Sequence, residues 1–344
     1  MSKSKTHVVQ LPSSKLNPLI MPKSEKTHIF ITGATGYIGG SVLSALLAHP
    51  RANSFQITAL TRSPEKVVPL DSVGVVAVVG SNQDHEKLTE HARESDVVFA
   101  CADADDLEAA KAILLGLKKR YEATDKSGTG VLADDAAGNY ATDKIYSDLD
   151  IPMIESLTKT QPHRYVRTYI ILPSTVYGIA DTSLVKLGIQ NPYSIQIPSL
   201  IKSCIDRKQG GVVGKGSNVW PNVHISDTAT LFTTVFDAAI KGPGEASHGR
   251  EGFYFGANGE HRVGRISEII AELLYEMKLG KSPEPTVFTE EELQKYFGGP
   301  YLGSNSRVRA ERAKLIGWNP LHTVDSLWAS IKPETEALAD MQNI

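Results

Sequence analysis

The stretch HIFITGATGYIGG, residues 28–40, decides how the chain begins to fold. It opens with a short apolar run typical of a buried parallel strand, and apolar residues recur at helical spacing from Val42 onward. The glycines lie between the predicted strand and the predicted helix. A tight turn there and a close approach of the backbone to a pyrophosphate both exclude a Cβ, so this connection requires glycine. The first turn of the helix adds N–H groups and a positive dipole, so the stretch predicts a dinucleotide-binding loop. The residues expected to contact the dinucleotide are Gly33, Thr35, Gly36, Tyr37, Ile38 and Gly39.

Apolar runs and helical patterns alternate along the chain. The runs expected to be strands are 28–32, 55–60, 75–79, 96–100 and 169–173. The clearest helix between them is expected at 105–119. Two later helices are expected, one that begins at Asp227 as an acidic N-cap and one formed by the apolar stripe from Ile266 to Met277. Strands that alternate with helices predict an α/β fold, a Rossmann-type doubly wound parallel sheet covered on both faces.

The end of the second strand discriminates between two dinucleotides. An NAD-binding chain usually places a carboxylate there for the ribose 2′-hydroxyl. Here residues 59–63 read ALTRS, with no acid and with Arg62, whose guanidinium suits a 2′-phosphate. The sequence therefore favours NADP(H) over NAD(H), and the alternative is a solvated Arg62 that caps a loop. Further cofactor contacts are expected after the third and fourth strands, from Ser81, Asn82 and Ala102.

The bulk composition excludes several classes of partner and site. The formal net charge of the 344 residues is -3, which gives no electrostatic reason to expect nucleic acid or a membrane as a partner. The two cysteines, Cys101 and Cys204, form no CxxC pair, so neither a disulfide framework nor a metal site is expected, and Cys101 is interpreted as a packed thiol. Residues 1–26 are polar and lack the apolar core of a secretory signal. We interpret them as a mobile N-terminal tail and expect a cytoplasmic protein.

Four later segments follow the glycine-rich stretch in a characteristic order. They are LPSTVYG (172–178), VHISD (223–227), FYFGAN (253–258) and LIGWNP (315–320). Together with the G-x-x-G-x-x-G spacing, they resemble the extended (atypical), NAD-dependent epimerase/dehydratase-like branch of the short-chain dehydrogenase/reductase superfamily, across nearly all of 27–320. LPSTVYG is similar to the strand-six signature whose backbone passes the nicotinamide. The resemblance therefore implies cofactor contacts at Pro173 and Thr175.

The resemblance also implies how the chain divides. It places an NADP-binding Rossmann domain at 27–180, with returns near 223–258. A smaller C-terminal substrate domain is then built from 181–222 and 259–344. The active site is expected between the two, at the carboxyl ends of the strands, and a homodimer is compatible with this arrangement.

Catalysis in the superfamily rests on a Tyr-x-x-x-Lys pair and an upstream Ser or Thr. Tyr140 and Lys144 fit the pair, and on a helix such side chains share a face. The lysine would then lower the pKa of the phenol and hold the ribose hydroxyls. Ser127 is the upstream candidate, with Thr129 as the other. The resemblance thus predicts hydride transfer to or from a small-molecule carbonyl or alcohol, with Tyr140 as acid/base.

Two features depart from the family pattern. Residues 121–126 are far too polar for the buried fifth strand that should present Ser127, and the fourth strand ends Ala-Cys-Ala-Asp at 100–103 without the usual His or Asn. Both features favour a rival interpretation, a non-catalytic regulator that senses NADP.

A second rival is a sugar-nucleotide epimerase or dehydratase. Those relatives commonly carry an arginine, an asparagine and another arginine at the positions of Leu172, Thr175 and Trp220. Without groups that meet a diphosphate, that substrate is disfavoured. Trp220 indicates either an apolar wall or simple packing.

Overall fold

The computed structural model describes residues 26–103, 105–124, 145–149 and 166–342. The strands are β1 (Thr27–Thr32), β2 (Phe55–Thr61), β3 (Val75–Val79), β4 (Val97–Ala100), β5 (Tyr146–Ser147), β6 (Ile170–Pro173), β7 (Thr175–Tyr177), β8 (Gly211–Val212), β9 (Val219–His224), β10 (Phe253–Gly256), β11 (Glu260–Arg262), β12 (Thr286–Val287) and β13 (Val308–Arg309).

The helices within the same ranges are α1 (Tyr37–Leu47), α2 (Val67–Ser72), α3 (His85–Glu94), α4 (Leu107–Thr124), α5 (Ser183–Lys186), α6 (Gln196–Arg207), α7 (Ile225–Lys241), α8 (Val263–Glu276), α9 (Glu290–Phe297), α10 (Arg312–Leu315) and α11 (Val324–Gln342). Short 3-10 turns occur at Ala52–Ser54, Pro64–Lys66, Gly249–Glu251 and Tyr301–Gly303. None of the helices in these ranges combines the length and the apolar character needed to cross a membrane.

The first four strands form a parallel sheet in the order β3-β2-β1-β4. Successive residues of β1 face opposite sides of this sheet. Ile29 and Ile31 pack with Leu43 of α1, whereas Phe30 packs with Leu88 of α3. Both faces are therefore covered by helices, which explains why β1 is apolar without alternation. The predicted Rossmann-type doubly wound α/β fold is confirmed.

Four smaller sheets are formed by the described residues that follow, two of them the short pairings of β8 with β12 and of β5 with β13. β6 pairs in parallel with β10, and β7, β9 and β11 form a three-stranded sheet in the order β11-β9-β7. Tyr177 of β7 and Trp220 of β9 belong to a core cluster with Ile201, Ile270 and Ile331, which come from α6, α8 and α11. These three helices thus cover one face of the three-stranded sheet.

The polar segment before Ser127 belongs to a helix as far as it is described. α4 continues to Thr124, five residues beyond the predicted end at 119, and Tyr121 and Glu122 lie in its last turns. The polar composition at 121–124 is therefore that of a helix end, and residues 125 and 126 lie outside the described residues.

The expected acidic N-cap at Asp227 is wrong. α7 begins at Ile225, and its N-cap is His224, whose side chain accepts a hydrogen bond from the backbone N–H of Ser226. Asp227 lies in the first turn and is buried. Its carboxylate accepts hydrogen bonds from the backbone N–H groups of Leu321 (3.0 Å) and His322 (2.9 Å). Asp227 therefore fastens α7 to the segment that leads into α11.

Candidate functional site

Residues 33–39, here called the glycine loop, connect β1 to α1 at the carboxyl edge of the parallel sheet. Gly33 has φ +70°, and a Cβ there would lie 2.5 Å from the carbonyl oxygen of Cys101, just after β4. A Cβ at Gly39 would lie 2.2 Å from the carbonyl oxygen of Gly33. The protein's own backbone therefore requires glycine at Gly33 and Gly39.

Gly36 is different, because its surroundings leave more room. The nearest atom to a Cβ there would be the Gly33 carbonyl oxygen at 3.2 Å, and Gly36 is the N-cap of α1. The first N–H groups of a helix have no partner inside it, and the first turn of α1 contains no acidic residue. An anion can therefore approach the helix at Gly36, with backbone donors and a favourable dipole.

The sheet brings the other predicted cofactor residues to the same edge. Arg62 directly follows β2, Ser81 and Asn82 follow β3, and Ala102 follows β4, and all four strands are parallel. Arg62 is exposed. Its guanidinium is thus available to a ligand that lies along the edge from the glycine loop towards β2.

Ser81 is committed to a local turn. Its backbone N–H and its hydroxyl both donate to Oδ2 of Asp84, at 2.6 and 3.2 Å, and its hydroxyl accepts from the backbone N–H of Gln83 at 3.2 Å. The hydrogen bond from the Ser81 backbone is the main reason why the pKa of Asp84 is lowered. Asn82, like Ser81, is partly buried.

Tyr37, next to Gly36, holds the glycine loop against the end of β7. Its hydroxyl donates to the carbonyl oxygen of Gly178 at 2.6 Å, and burial raises the pKa of this phenol. Ile38 packs against two core clusters, one shared with Val42 of α1. The carbonyl oxygen of Thr35 accepts from the backbone N–H of Asn191 at 2.9 Å. These contacts fix the position of the glycine loop. Tyr37 does so through its side-chain hydrogen bond, Ile38 through packing and Thr35 through its backbone carbonyl.

Pro173 and Thr175 lie on β6 and β7, beyond the four-stranded sheet. Thr175 is 4% exposed, and its hydroxyl has no hydrogen-bond partner among the described residues. It is aligned with Asn222 of β9. The bond from Tyr37 to Gly178 connects this strand pair to the glycine loop.

Two histidines stack beside Gly178, which no sequence pattern indicated. The ring centroids of His224 and His322 are 3.8 Å apart, and a Cβ at Gly178 would lie 2.5 Å from Nε2 of His224. Burial lowers the pKa of His224 to about 4, and the neighbouring His322 adds to this shift. His224 is therefore neutral near pH 7.

Cys101, Leu172 and Trp220 have packing roles. Cys101 packs against the core cluster around α1, and burial raises its pKa to about 12, so the thiol stays protonated. Leu172 packs against the cluster that contains Val176. Trp220 is 7% exposed, and its Nε1 donates to the carbonyl oxygen of Ser304 at 2.7 Å. Of the two interpretations of Trp220, its burial supports packing.

The predicted catalytic residues Ser127, Tyr140 and Lys144 all lie outside the described residues, as does Thr129. The description resumes at Ile145. The next two residues form β5, which pairs in parallel with β13. Asp148 then accepts hydrogen bonds from the backbone N–H groups of Phe255 (3.0 Å) and Arg312 (2.9 Å). The chain directly after Lys144 is thus anchored to β10 and α10.

Comparisons with known proteins agree with this geometry. The NmrA-like family model matches residues 25–118. The oxidase ucsJ of Acremonium sp is 26% identical over 350 residues, which cover 90% of this chain and 98% of that protein. Protein YLL056C of Saccharomyces cerevisiae, which is uncharacterized, is 30% identical over 247 residues, covering 66% of this chain and 76% of that protein. The structure of UDP-glucose 4-epimerase from Thermotoga maritima with UDP-glucose superposes with a TM-score of 0.58 at 15% identity, covering 92% of this chain and 100% of that chain.

The parallel sheet, the glycine loop and these similarities define a short-chain dehydrogenase/reductase. Within that class, the chain belongs to the extended, NAD-dependent epimerase/dehydratase-like family. The resemblance stated from the sequence is confirmed, and the family is one of oxidoreductase and epimerase/dehydratase-type enzymes.

Proposed function

We propose that this protein is an NADP(H)-dependent oxidoreductase of the carbonyl reductase or alcohol dehydrogenase type, with a small-molecule substrate. The observation that carries the proposal is the opening at Gly36, where the N-terminus of α1 can receive a pyrophosphate and the first turn of the helix contains no acidic residue. A relative that aligns over nearly its whole length and is named an oxidase supports a redox reaction.

The cofactor would lie along the carboxyl edge of the parallel sheet. The first-turn N–H groups of α1 would bind its pyrophosphate, and Arg62 would bind the 2′-phosphate. Arg62 is exposed and follows β2 directly, so its guanidinium reaches solvent beside the edge. No acidic residue stands at 59–63 to repel a phosphate. These two features support NADP(H) over NAD(H).

A bound nicotinamide supplies or accepts the hydride. Tyr140 would donate a proton to the substrate oxygen as a carbonyl is reduced, or remove it in the opposite direction. Lys144 would lower the pKa of the phenol, and Ser127 would donate a hydrogen bond to the same oxygen. These three roles stay predictions from the family motif.

The substrate we propose is smaller and less charged than a sugar nucleotide. Leu172 and Trp220 occupy positions where relatives that bind a diphosphate commonly carry arginine. Neither side chain carries a cation. Trp220 is also buried in the core, and its N–H is already hydrogen-bonded to the carbonyl oxygen of Ser304, so it offers no donor to a phosphate. This supports a substrate without a diphosphate, and we propose a small carbonyl compound.

Replacement of Arg62 tests the cofactor assignment. Arg62→Ala should raise the dissociation constant for NADPH by about 10- to 100-fold, because a hydrogen-bonded charge pair contributes roughly 1.5–3 kcal/mol. The dissociation constant for NADH should stay unchanged, since NADH has no 2′-phosphate. Arg51→Ala is the matched control: Arg51 is also exposed, but it pairs with Asp237 at 2.6 Å after α1. Fluorescence titration of both cofactors against the three proteins gives the answer.

An unchanged NADPH affinity in Arg62→Ala would reject the assignment to NADP(H). A substrate screen then tests the reaction. Turnover of small ketones or aldehydes with NADPH supports the proposal, whereas reaction with sugar nucleotides alone, with the cofactor recycled in place, would establish an epimerase or dehydratase. Tight cofactor binding without turnover of any carbonyl compound would establish the regulator.

A further inference from the structure

A buried glutamine far along the chain touches the first turn of α1. Gln190 is 4% exposed, and its side-chain nitrogen donates to the carbonyl oxygen of Tyr37 (3.0 Å) and to the hydroxyl of Ser41 (2.8 Å). Its side-chain oxygen accepts from the hydroxyl of Thr182 at 2.6 Å. The Ser41 hydroxyl itself donates to the Tyr37 carbonyl oxygen at 2.9 Å. Both polar atoms of the Gln190 amide are therefore hydrogen-bonded, and two of its three hydrogen bonds are to α1.

The same side chain explains a glycine that the nucleotide-binding spacing does not need. Gly40 follows the third glycine of the G-x-x-G-x-x-G spacing. A Cβ at Gly40 would lie 2.5 Å from Cγ of Gln190 and 2.7 Å from Cδ. Gln190 thus packs directly on the backbone of α1, and any larger residue at Gly40 would displace it.

Two further bonds connect the segment around Gln190 to the same region. The backbone N–H of Asn191 donates to the carbonyl oxygen of Thr35 in the glycine loop at 2.9 Å. Lys66, between β2 and α2, donates to the carbonyl oxygen of Gly188. The segment from 188 to 191 therefore lies across the glycine loop and the start of α1 and holds both by hydrogen bonds.

We propose that Gln190 is a positioning residue for the cofactor: it fixes the first turn of α1 so that its N–H groups point at the pyrophosphate. This inference rests on the proposed function, because it requires a dinucleotide at the glycine loop. Gln190 acts through Tyr37 and Ser41 and is not expected to touch the cofactor itself. A loop held in its binding conformation before the ligand arrives binds more tightly, because less order has to be imposed on binding.

The test is the variant Gln190→Met, which keeps the length of the side chain and removes its hydrogen bonds. The dissociation constants for NADPH and NADH should both rise, by about five- to tenfold, the effect of about one lost hydrogen bond. The two should rise equally, since both cofactors carry the pyrophosphate. The dissociation constant of adenosine, which lacks the pyrophosphate, should not change.

Gln209→Met is the matched control. Gln209 lies between α6 and β8 and is 9% exposed. Its side-chain nitrogen donates to the carbonyl oxygen of Glu284 at 2.6 Å. This variant also loses a buried amide bond and should be destabilised to a similar degree. Its affinity for both cofactors should equal that of the wild type.

A second variant keeps the test decisive if Gln190→Met does not fold. Gln190→Asn keeps a neutral amide but shortens the side chain by one methylene, so that it no longer reaches Tyr37 and Ser41, and it should weaken both cofactors in the same pattern. Equal cofactor affinity in the wild type and in a folded Gln190 variant would overturn the inference. An equal loss in Gln209→Met, or a parallel loss for adenosine, would do the same, because both indicate general destabilisation. If the wild type binds neither NADPH nor NADH, the proposed function fails, and this inference fails with it.

Discussion

Glu334 should make the stability of this protein depend on pH in the direction opposite to that of a paired carboxylate. The side chain lies in α11 with 0% exposure, and neither of its oxygens has a hydrogen-bond partner among the described residues. Burial raises the pKa of this carboxyl group from 4.5 to about 7. The folded protein therefore binds a proton more tightly at Glu334 than the unfolded chain does.

The size of the effect follows from the two pKa values. Below pH 4.5 the group is protonated in both states, and its favourable contribution to folding is fully present. That contribution is lost as the pH rises from 4.5 through 7, because the unfolded chain releases this proton while the folded protein still holds it. Above pH 7 the folded protein carries a buried charge at Glu334. A difference of about 2.5 pKa units at roughly 1.36 kcal/mol per unit gives about 3 kcal/mol between pH 4.5 and pH 8.

The variant Glu334→Gln measures the pH-dependent contribution of Glu334 to the free energy of unfolding. At pH 8 it should be more stable than the wild type by up to about 3 kcal/mol, or roughly 5 °C in Tm for a chain of this length. At pH 5 the two proteins should unfold at similar temperatures. Thermal unfolding is followed at intervals from pH 5 to pH 8.5, so that the difference between the two curves isolates Glu334.

Glu336→Gln is the control on the same helix. Glu336 is exposed and lies 3.9 Å from Lys332, so its replacement should change stability by less than about 1 kcal/mol at any pH. A stability difference between Glu334→Gln and the wild type that is constant from pH 5 to pH 8.5 would refute the reasoning. It would mean that the buried carboxyl group titrates normally.

Three other substitutions separate binding, folding and chemistry. Gly36→Ala should weaken NADPH by more than about tenfold, because its Cβ would stand at the N-terminus of α1 where the ligand approaches. It should cost less stability than Gly39→Ala, which should lose about 1–3 kcal/mol, because the Cβ would lie 3.2 Å from the Gly33 carbonyl oxygen in the first variant and 2.2 Å from it in the second. Cofactor titration and thermal unfolding of both variants check this, and equal losses of affinity at equal stability would contradict it. Tyr140→Phe should lower turnover by roughly 10²–10⁴-fold with NADPH affinity intact, as expected for the loss of a general acid, and full activity in this variant would remove Tyr140 from the mechanism.

The elements around the glycine loop can be predicted from sequence because their causes are local. β3 occupies the predicted residues 75–79, and β2 extends the predicted 55–60 by one residue. Each is a short β-branched or apolar run between turns. β2 is largely buried, whereas β3 lies at the edge of the sheet and buries only Val75 fully. The residues that follow these strands therefore meet at one edge, as expected for a parallel sheet.

Contacts between distant segments set the limits of such prediction. Asp227 has the position and chemistry of an N-cap, yet its carboxylate is used by the backbone of Leu321 and His322, and His224 caps the helix instead. β5 and β13 are two residues each and exist only as partners of one another. Neither feature has a period or composition that a reader of the sequence could recognise, because the stabilising partner is elsewhere in the chain.

The four glycines of the stretch also differ in what they indicate about a ligand. Gly33 and Gly39 are required by nearby backbone, and Gly40 by the side chain of Gln190, so all three would be needed even if nothing were bound. Gly36 is the one whose neighbours leave space at the N-terminus of α1. The spacing alone is therefore weak support for a nucleotide site, because two of its three glycines are required by the protein's own backbone. A Cβ at Gly40 and the side chain of Gln190 would occupy the same space. A relative with a smaller residue in place of Gln190 should therefore tolerate a side chain in place of Gly40, and a relative that keeps glutamine should not.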